Sequence, residues 1–252
     1  MGIKNYNPFS LEGKTIFITG ASSGIGREIS IQCSKMGANL ILSGRNEDRL
    51  NETVSMLEGD NHSYIIADLT NEEDIKQLVK SLPLLDGAVL CAGKSGTVPV
   101  LFATPEKFQD IFNINFFSPI ELLRLIVKSK KMKKESSVVN IASIGGTYRF
   151  SPGNSIYGAS KAAYNSMVKF LALEFAPKRI RVNGICPGMV ETPLIKPNAI
   201  TQEQLDIDKE KYLLKRYGKP EDVAYCAIYL LSDAASWVTG QSIIIDGGIT
   251  VK

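Results

Sequence analysis

The chain has 252 residues and a mass of 27.5 kDa, with 44% hydrophobic and 22% charged residues, which excludes a disordered chain and is ample for one core. The 29 Lys+Arg against 26 Asp+Glu leave a net charge of +3, too small to imply nucleic acid. Four cysteines without a CxxC pair exclude a disulfide scaffold or zinc module, and the lone histidine, His62, excludes a multi-His metal site, so no metal is expected.

The first strand, 15–19, runs straight into Thr19-Gly20-Ala21-Ser22-Ser23-Gly24-Ile25-Gly26 and a helix over 24–36. Glycines at this spacing allow a sharp turn, close approach of backbone to a pyrophosphate, and tight packing of helix on strand. The helix N-terminus adds free N–H groups and a positive dipole end. Its place at the first strand–helix junction of an alternating chain favours phosphate binding over a mere tight turn, and because the spacing is not that of a triphosphate loop a dinucleotide is favoured. The second strand, 40–42, ends in Ser43-Gly44-Arg45. NAD sites place a carboxylate there; a guanidinium suits a 2′-phosphate, so NADP is the expected cofactor. The alternative is an Arg45 that only faces solvent at a helix start.

Helix 46–57, strand 64–67 and helix 71–81 follow, the last capped by Thr70 or Asn71 ahead of Glu73. Strand 87–91 precedes a long helix, 105–131, opened by Pro105 after Thr104, and strand 137–141 leads past Ser143 to helix 156–176. Strand 180–186, helix 220–232 and strand 242–245 complete the chain. The strands are nearly continuous in hydrophobicity, as strands buried on both faces are. Seven of them alternating with six helices predict one α/β domain, 1–252, built on a parallel seven-stranded sheet with helices on both faces. Segment 192–217 fits no strand and is expected as a substrate lid, mixing charges with Ile200, Leu205, Leu213 and Leu214. No run of 18 apolar residues offers a membrane span, residues 1–13 lack a signal-peptide core, and Tyr6 stands where myristoylation takes Ser or Thr. A cytoplasmic protein, with no membrane partner, is expected.

Of the nine tyrosines only Tyr157 is followed four residues later by lysine, Lys161, on the same helix face. A lysine ammonium near a phenol stabilises the phenolate, and such a tyrosine can exchange a proton with a carbonyl–alcohol pair.

Taken together, Thr19-Gly20, Gly24-Ile25-Gly26, Asp68-Leu69, Ala92-Gly93, Asn115, Ser143, Tyr157, Lys161, Asn183, Pro187-Gly188 and Asp246-Gly247-Gly248 stand in the order of the short-chain dehydrogenase/reductase family, which the chain resembles over residues 11–250. The resemblance implies a Rossmann-type doubly wound sheet and NADP(H)-dependent interconversion of a ketone and a secondary alcohol. On it, Tyr157 is the general acid/base, and Lys161 lowers the Tyr157 pKa and holds the nicotinamide ribose. Ser143 hydrogen-bonds the substrate carbonyl, and Asn115 positions a water for proton relay to the lysine. Cofactor contacts are implied for Gly20, Ser22, Ser23, Gly24, Ile25, Gly26, Arg45, Asp68, Leu69, Ala92, Gly93, Tyr157, Lys161, Pro187, Gly188, Val190 and Thr192. One departure stands out: Leu90-Cys91 replaces the usual Asn-Asn before Ala92-Gly93, which removes side chains that would tie down that turn.

Members that reduce 3-oxoacyl groups on acyl carrier protein carry basic residues where this chain has Lys134 and Lys178-Arg179, so such a substrate and an acidic carrier partner are implied. The run Lys128, Lys130, Lys131, Lys133, Lys134 also reads as a solvated helix end. A sugar, polyol, steroid or other small alcohol is the alternative substrate, and a non-catalytic NADP(H) sensor the alternative of another class. Relatives are usually tetramers, and Phe116, Phe117, Leu122, Leu123 and Phe170 offer more apolar helix surface than one core face needs, so a homotetramer is expected. Trp237 is expected to pack against the lid base, Cys91 to pack near the cofactor, and His62 to be a structural or surface residue.

Overall fold

In a computed structural model that describes residues 6–193 and 201–251, the β-branched runs form seven strands. These are β1 (Thr15–Thr19), β2 (Asn39–Gly44), β3 (His62–Ile66), β4 (Leu85–Leu90), β5 (Met132–Ile141), β6 (Arg181–Pro187) and β7 (Ser242–Ile245). They pair in parallel in one sheet of order β3-β2-β1-β4-β5-β6-β7, as the alternation predicts. Eight helices lie among the described residues: α1 (Gly24–Lys35), α2 (Glu47–Val54), α3 (Glu72–Ser81), α4 (Pro105–Phe112), α5 (Ser118–Lys128), α6 (Ser155–Phe175), α7 (Gln202–Lys209) and α8 (Pro220–Leu231).

Both sheet faces are covered, which is why the strands can be apolar on both sides. Val139 and Ile141 of β5 join a cluster with side chains of α1, α2 and α8, whereas Val138 joins one with α3, α5 and α6. Strand order reverses between β1 and β4, and in such sheets the crevice outside the carboxyl ends at the reversal is where ligands sit. His62 is structural, as expected: its Nδ1 accepts from the Leu40 N–H at 3.2 Å and its Nε2 lies 2.9 Å from the Glu58 carbonyl.

Several expectations are corrected. The helix over 105–131 is two helices joined by a π-helical turn, Asn113–Phe117, in which Asn115 is fully buried beside three phenylalanines. Such widened turns concentrate at functional positions. The helix also stops early, because Lys130 is left-handed (φ +57) and Met132 already pairs with Leu85. Lys133 and Lys134 are therefore strand residues, with Lys133 on Asp86 at 2.7 Å, and Lys131 Nζ donates to the Leu82 carbonyl. Only Lys128 and Lys130 fit a solvated helix end. Leu122 and Leu123 lie in the core, while Phe117, Phe170 and Leu173 are exposed. Trp237 is 98% exposed and packs on nothing at the lid base.

Of the expected lid, residues 194–200, including Ile200, lie outside the described residues. The remainder leaves and rejoins the body at one place: Val190 bridges Gly218, with the Gly218 N–H donating to the Met189 carbonyl at 2.9 Å. Within it α7 opens on a capping box, Thr201 with Gln204, and buries no residue.

Arg181 fastens the sheet edge that carries this excursion, donating to the carbonyls of Leu230 (2.8 Å), Val238 (3.2 Å) and Ser232 (3.3 Å). Replacing it by methionine is expected to lower stability by about 1.5–3 kcal/mol, measured by urea denaturation, because charge-assisted hydrogen bonds to three carbonyls are lost.

Candidate active site

The glycine loop is shaped by contact. Gly20 and Gly24 adopt positive φ (+68 and +54), and a Cβ on Gly20 would stand 2.9 Å from the Ala92 backbone. A Cβ on Gly26 would strike the Gly20 carbonyl oxygen, so α1 can approach β1 only with glycine there. Ser23 is the N-cap of α1, yet no side chain caps the helix and no carboxylate lies in its first turn. By contrast, Asn46 caps α2 and Asn71 caps α3. The α1 amides are thus left open to an anion. Ile25 packs on the core, and Ser22 lies over Gly44, next to Arg45.

Arg45 leaves the carboxyl end of β2 with its side chain 75% exposed and its guanidinium 3.7 Å from Asp68. Asp68 uses its other oxygen to accept from the Thr70 N–H (2.9 Å) and hydroxyl (2.7 Å), and these bonds hold its carboxyl below the usual carboxylate range. Leu69 is buried beside it.

At the carboxyl end of β4, the turn that lacks asparagine side chains is tied down from the neighbouring strand. The buried Thr19 Oγ1 accepts from the N–H groups of Cys91 (3.0 Å) and Ala92 (3.1 Å). Cys91 is partly buried and its thiol is pushed up to about 11 by desolvation, so it packs, as expected, without being nucleophilic.

Gly93 and Gly145 mark where the four catalytic candidates converge. A Cβ on Gly93 would lie 2.9 Å from Asn115 Oδ1 and 3.5 Å from Lys161 Nζ. One on Gly145 would lie 3.3 Å from Ser143 Oγ and 3.7 Å from the Tyr157 ring. Asn115 is held by its amide: Oδ1 accepts from the Lys94 N–H at 2.9 Å, and Nδ2 donates to the Lys94 carbonyl (3.0 Å) and Ser160 Oγ (3.1 Å). Ser160 Oγ in turn donates to the Tyr157 carbonyl at 2.7 Å. Ser143 Oγ accepts from the Gly145 N–H at 3.0 Å. Lys161 Nζ donates to the Ile141 carbonyl at 2.8 Å.

Burial dominates the electrostatics. It pulls the Lys161 ammonium down to about 8 and pushes the Tyr157 phenol up, against the lowering effect of the Ser143 hydroxyl. The expectation that Lys161 lowers the phenol is not met in the free protein, because desolvation outweighs any charge nearby and the lysine is turned to a backbone carbonyl. Tyr157 is consequently a neutral phenol at neutral pH, the form that donates a proton.

The far wall comes from the segment after β6. Ile144 N–H donates to the Pro187 carbonyl at 3.1 Å, Gly188 lies against Asp246, and the buried Val190 forms the bridge to Gly218. Thr192 Cγ2 would stand 3.3 Å from a Cβ on Gly24, so this segment meets the glycine loop. Asn183 instead joins β6 to the chain entering β7, donating to the Val238 carbonyl at 2.9 Å. The expected cofactor residues therefore lie around the carboxyl ends of the strands, and the open amides, glycine contacts and largely exposed Arg45 guanidinium fit a dinucleotide.

A family profile described as Enoyl-(Acyl carrier protein) reductase matches residues 20–250. A 3-oxoacyl-[acyl-carrier-protein] reductase of Rickettsia felis is 36% identical over 239 residues, 95% of this chain and 98% of that protein. The chain belongs to the short-chain dehydrogenase/reductase family. A 7alpha-hydroxysteroid dehydrogenase of Escherichia coli is 32% identical over 251 residues, 97% of each chain. The solved Pseudomonas aeruginosa RhlG/NADP active-site complex matches with a TM-score of 0.90 at 28% identity, covering 97% of this chain and 100% of that one. The protein is thus an oxidoreductase of this family, acting on CH–OH groups with a nicotinamide cofactor, and the sensor alternative falls.

Three contributors were not singled out from the sequence for these roles. Thr19 stands in the loop motif, but its acceptor role depends on a strand 72 positions away. Gly146 (φ +83) and Gly158 pack so closely that a Cβ on Gly146 would strike the Gly158 carbonyl, which clamps the Ser143 loop to the Tyr157 helix. Glycines following Ser143 and Tyr157 were the available signal.

Thr19→Val, nearly isosteric, is expected to cost about 1–3 kcal/mol by urea denaturation and to weaken cofactor binding by calorimetry, since two N–H groups lose their acceptor. Lys161 gives a pH signature. Folded it titrates near 8 and unfolded near 10.5, so between those values the unfolded chain binds more protons and stability rises with pH. Relative to Lys161→Met, the native protein is expected to gain about 1 kcal/mol per pH unit across that window; a flat difference refutes it.

Proposed function

We propose that the protein reduces a 3-oxoacyl thioester with NADPH, Tyr157 serving as general acid. The observation that carries this is the convergence of Ser143 and Tyr157 at Gly145, beside Lys161 and Asn115 at Gly93. A reduced nicotinamide bound in the crevice supplies the hydride. Ser143 Oγ donates to the ketone oxygen and stabilises its developing charge, and Tyr157 Oη delivers a proton to that oxygen. Lys161 holds the ribose and steadies the phenolate left behind, while Asn115 orders a water through which the proton is replaced. Tyr157→Phe is expected to lower kcat by about 10²–10⁴-fold with the fold intact.

Arg45 supports NADPH: its guanidinium ends β2 where an NAD site would have a carboxylate, with Ser22 alongside. The 3-oxoacyl choice draws on the Rickettsia relative and on the rim of the crevice. Val100, Leu101 and Phe102 are exposed in the turn after Val98, whose N–H donates to the Gly153 carbonyl at 2.7 Å, and Phe150 is exposed on that second loop. An apolar rim suits an acyl tail or a steroid and disfavours a sugar or polyol; the steroid dehydrogenase relative keeps a steroid as the second reading. The excursion between Val190 and Gly218 acts as the substrate lid of a single domain.

Lys134 sits within the amino-terminal end of β5 and Lys178 just before β6, and Lys134 is roughly 20 Å along the sheet from Ser143. A carrier protein docked there serves the crevice of a neighbouring subunit, so docking goes with the homotetramer, whose contacts use Phe117, Phe170 and Leu173 on α5 and α6. Purified protein is expected to oxidise NADPH at least about tenfold faster than NADH with a 3-oxoacyl thioester, and Arg45→Asp to invert that preference. Faster turnover of a hydroxysteroid ketone would replace the substrate reading, and monomeric size in gel filtration would remove the tetramer and the docking route with it.

A further inference from the structure

One buried phenol that the mechanism does not use stands against the lysine that it does. Tyr164, nearly one helical turn beyond Lys161 on α6, is 1% exposed, and Lys161 Nζ lies 5.7 Å from its ring centroid. The titratable groups around Lys161 are the thiols of Cys91, after β4, and Cys186, on β6, with the phenols of Tyr157 and Tyr164 on α6 itself. Burial pushes both thiols up to about 11, so at neutral pH no formal negative charge faces the ammonium. The Ile141 carbonyl takes one of its protons, and the aromatic face of Tyr164 is a further source of negative potential.

The polar end of Tyr164 is also unusual. Its hydroxyl, and both Nδ2 and Oδ1 of Asn140, are buried with no hydrogen-bond partner among the described residues. Asn140 pairs between Leu90 and Gly184 on the sheet face it shares with Val138, the face on which α6 packs. Buried polar atoms left without protein partners are served by internal water, and a water on the phenol would fix the tilt of the ring.

We propose that Tyr164 is a positioning residue for Lys161: its ring face holds the ammonium, and its hydroxyl shares an internal water with the Asn140 amide. The proposal rests on Lys161 being catalytic. Losing the ring destabilises the charged lysine, so the alkaline limb of activity moves to lower pH; keeping the ring keeps the limb.

The test is the pH profile of kcat/KM for ketone reduction in Tyr164→Phe, Tyr164→Leu and variants carrying phenylalanine with one to three ring fluorines at position 164. Folding is checked by thermal unfolding. Tyr164→Leu is expected to move the alkaline limb down by about half to one pH unit, and successive fluorines to move it stepwise, since each weakens the ring face at constant shape. Tyr164→Phe is expected to retain the parent limb, and a crystal structure to show water within hydrogen-bond distance of Tyr164 Oη and Asn140. If Tyr164→Leu does not fold, the fluorinated series still decides. A limb unmoved across that series, or moved equally by Phe and Leu, overturns the ring's role; a dry Asn140 overturns the water. Lys161→Met separates the layers: retained turnover there sinks the catalytic reading itself, whereas lost turnover with an unmoved Tyr164 series sinks only the present proposal.

Discussion

Two backbone turns, after β1 and after β4, approach too closely to admit a side chain between them, and the site is assembled around that approach. Gly20 admits the Ala92 backbone because it has no Cβ, and Thr19 fastens the pair by accepting two N–H groups across the strand reversal. The crevice opens where these turns part. From one side it receives the open amides of α1; from the other, Gly93 brings Asn115 and Lys161 to its floor.

Water exclusion then sets the chemistry. Lys161 is buried in a region without carboxylates, so its charge is costly and its proton weakly held, and the same desolvation keeps Tyr157 neutral. Both shifts have the same origin, the removal of water from one end of α6. The π-helical turn at Asn115 and the Gly146–Gly158 contact are the local irregularities that make this geometry possible. Both would be unfavourable in a helix or loop chosen only for stability.

The fold was legible because strand and helix signals are local. Seven apolar β-branched runs, each separated by an amphipathic stretch, leave few arrangements other than a covered parallel sheet. The errors fell where a distant contact overrides a local pattern. The basic residues 130–134 are helix-compatible, but pairing of Met132 with Leu85 draws them into β5. Leu122 and Leu123 read as surplus surface, yet the sheet absorbs both. Trp237 carries the largest side chain of its segment and still faces solvent, because nothing among the described residues packs on it.

The amino-acid sequence by itself determined the sheet, the glycine loop, the absence of a carboxylate after β2 and the Tyr157–Lys161 pair, because each is written in spacings of a few residues. Only the tertiary structure decided that Thr19 replaces the missing asparagines, that the phenol is raised and not lowered, and that Lys134 lies at the opposite end of the sheet from Ser143. Those outcomes depend on which groups lose water and which backbones meet. Such contacts join residues tens of positions apart, and no local pattern specifies them.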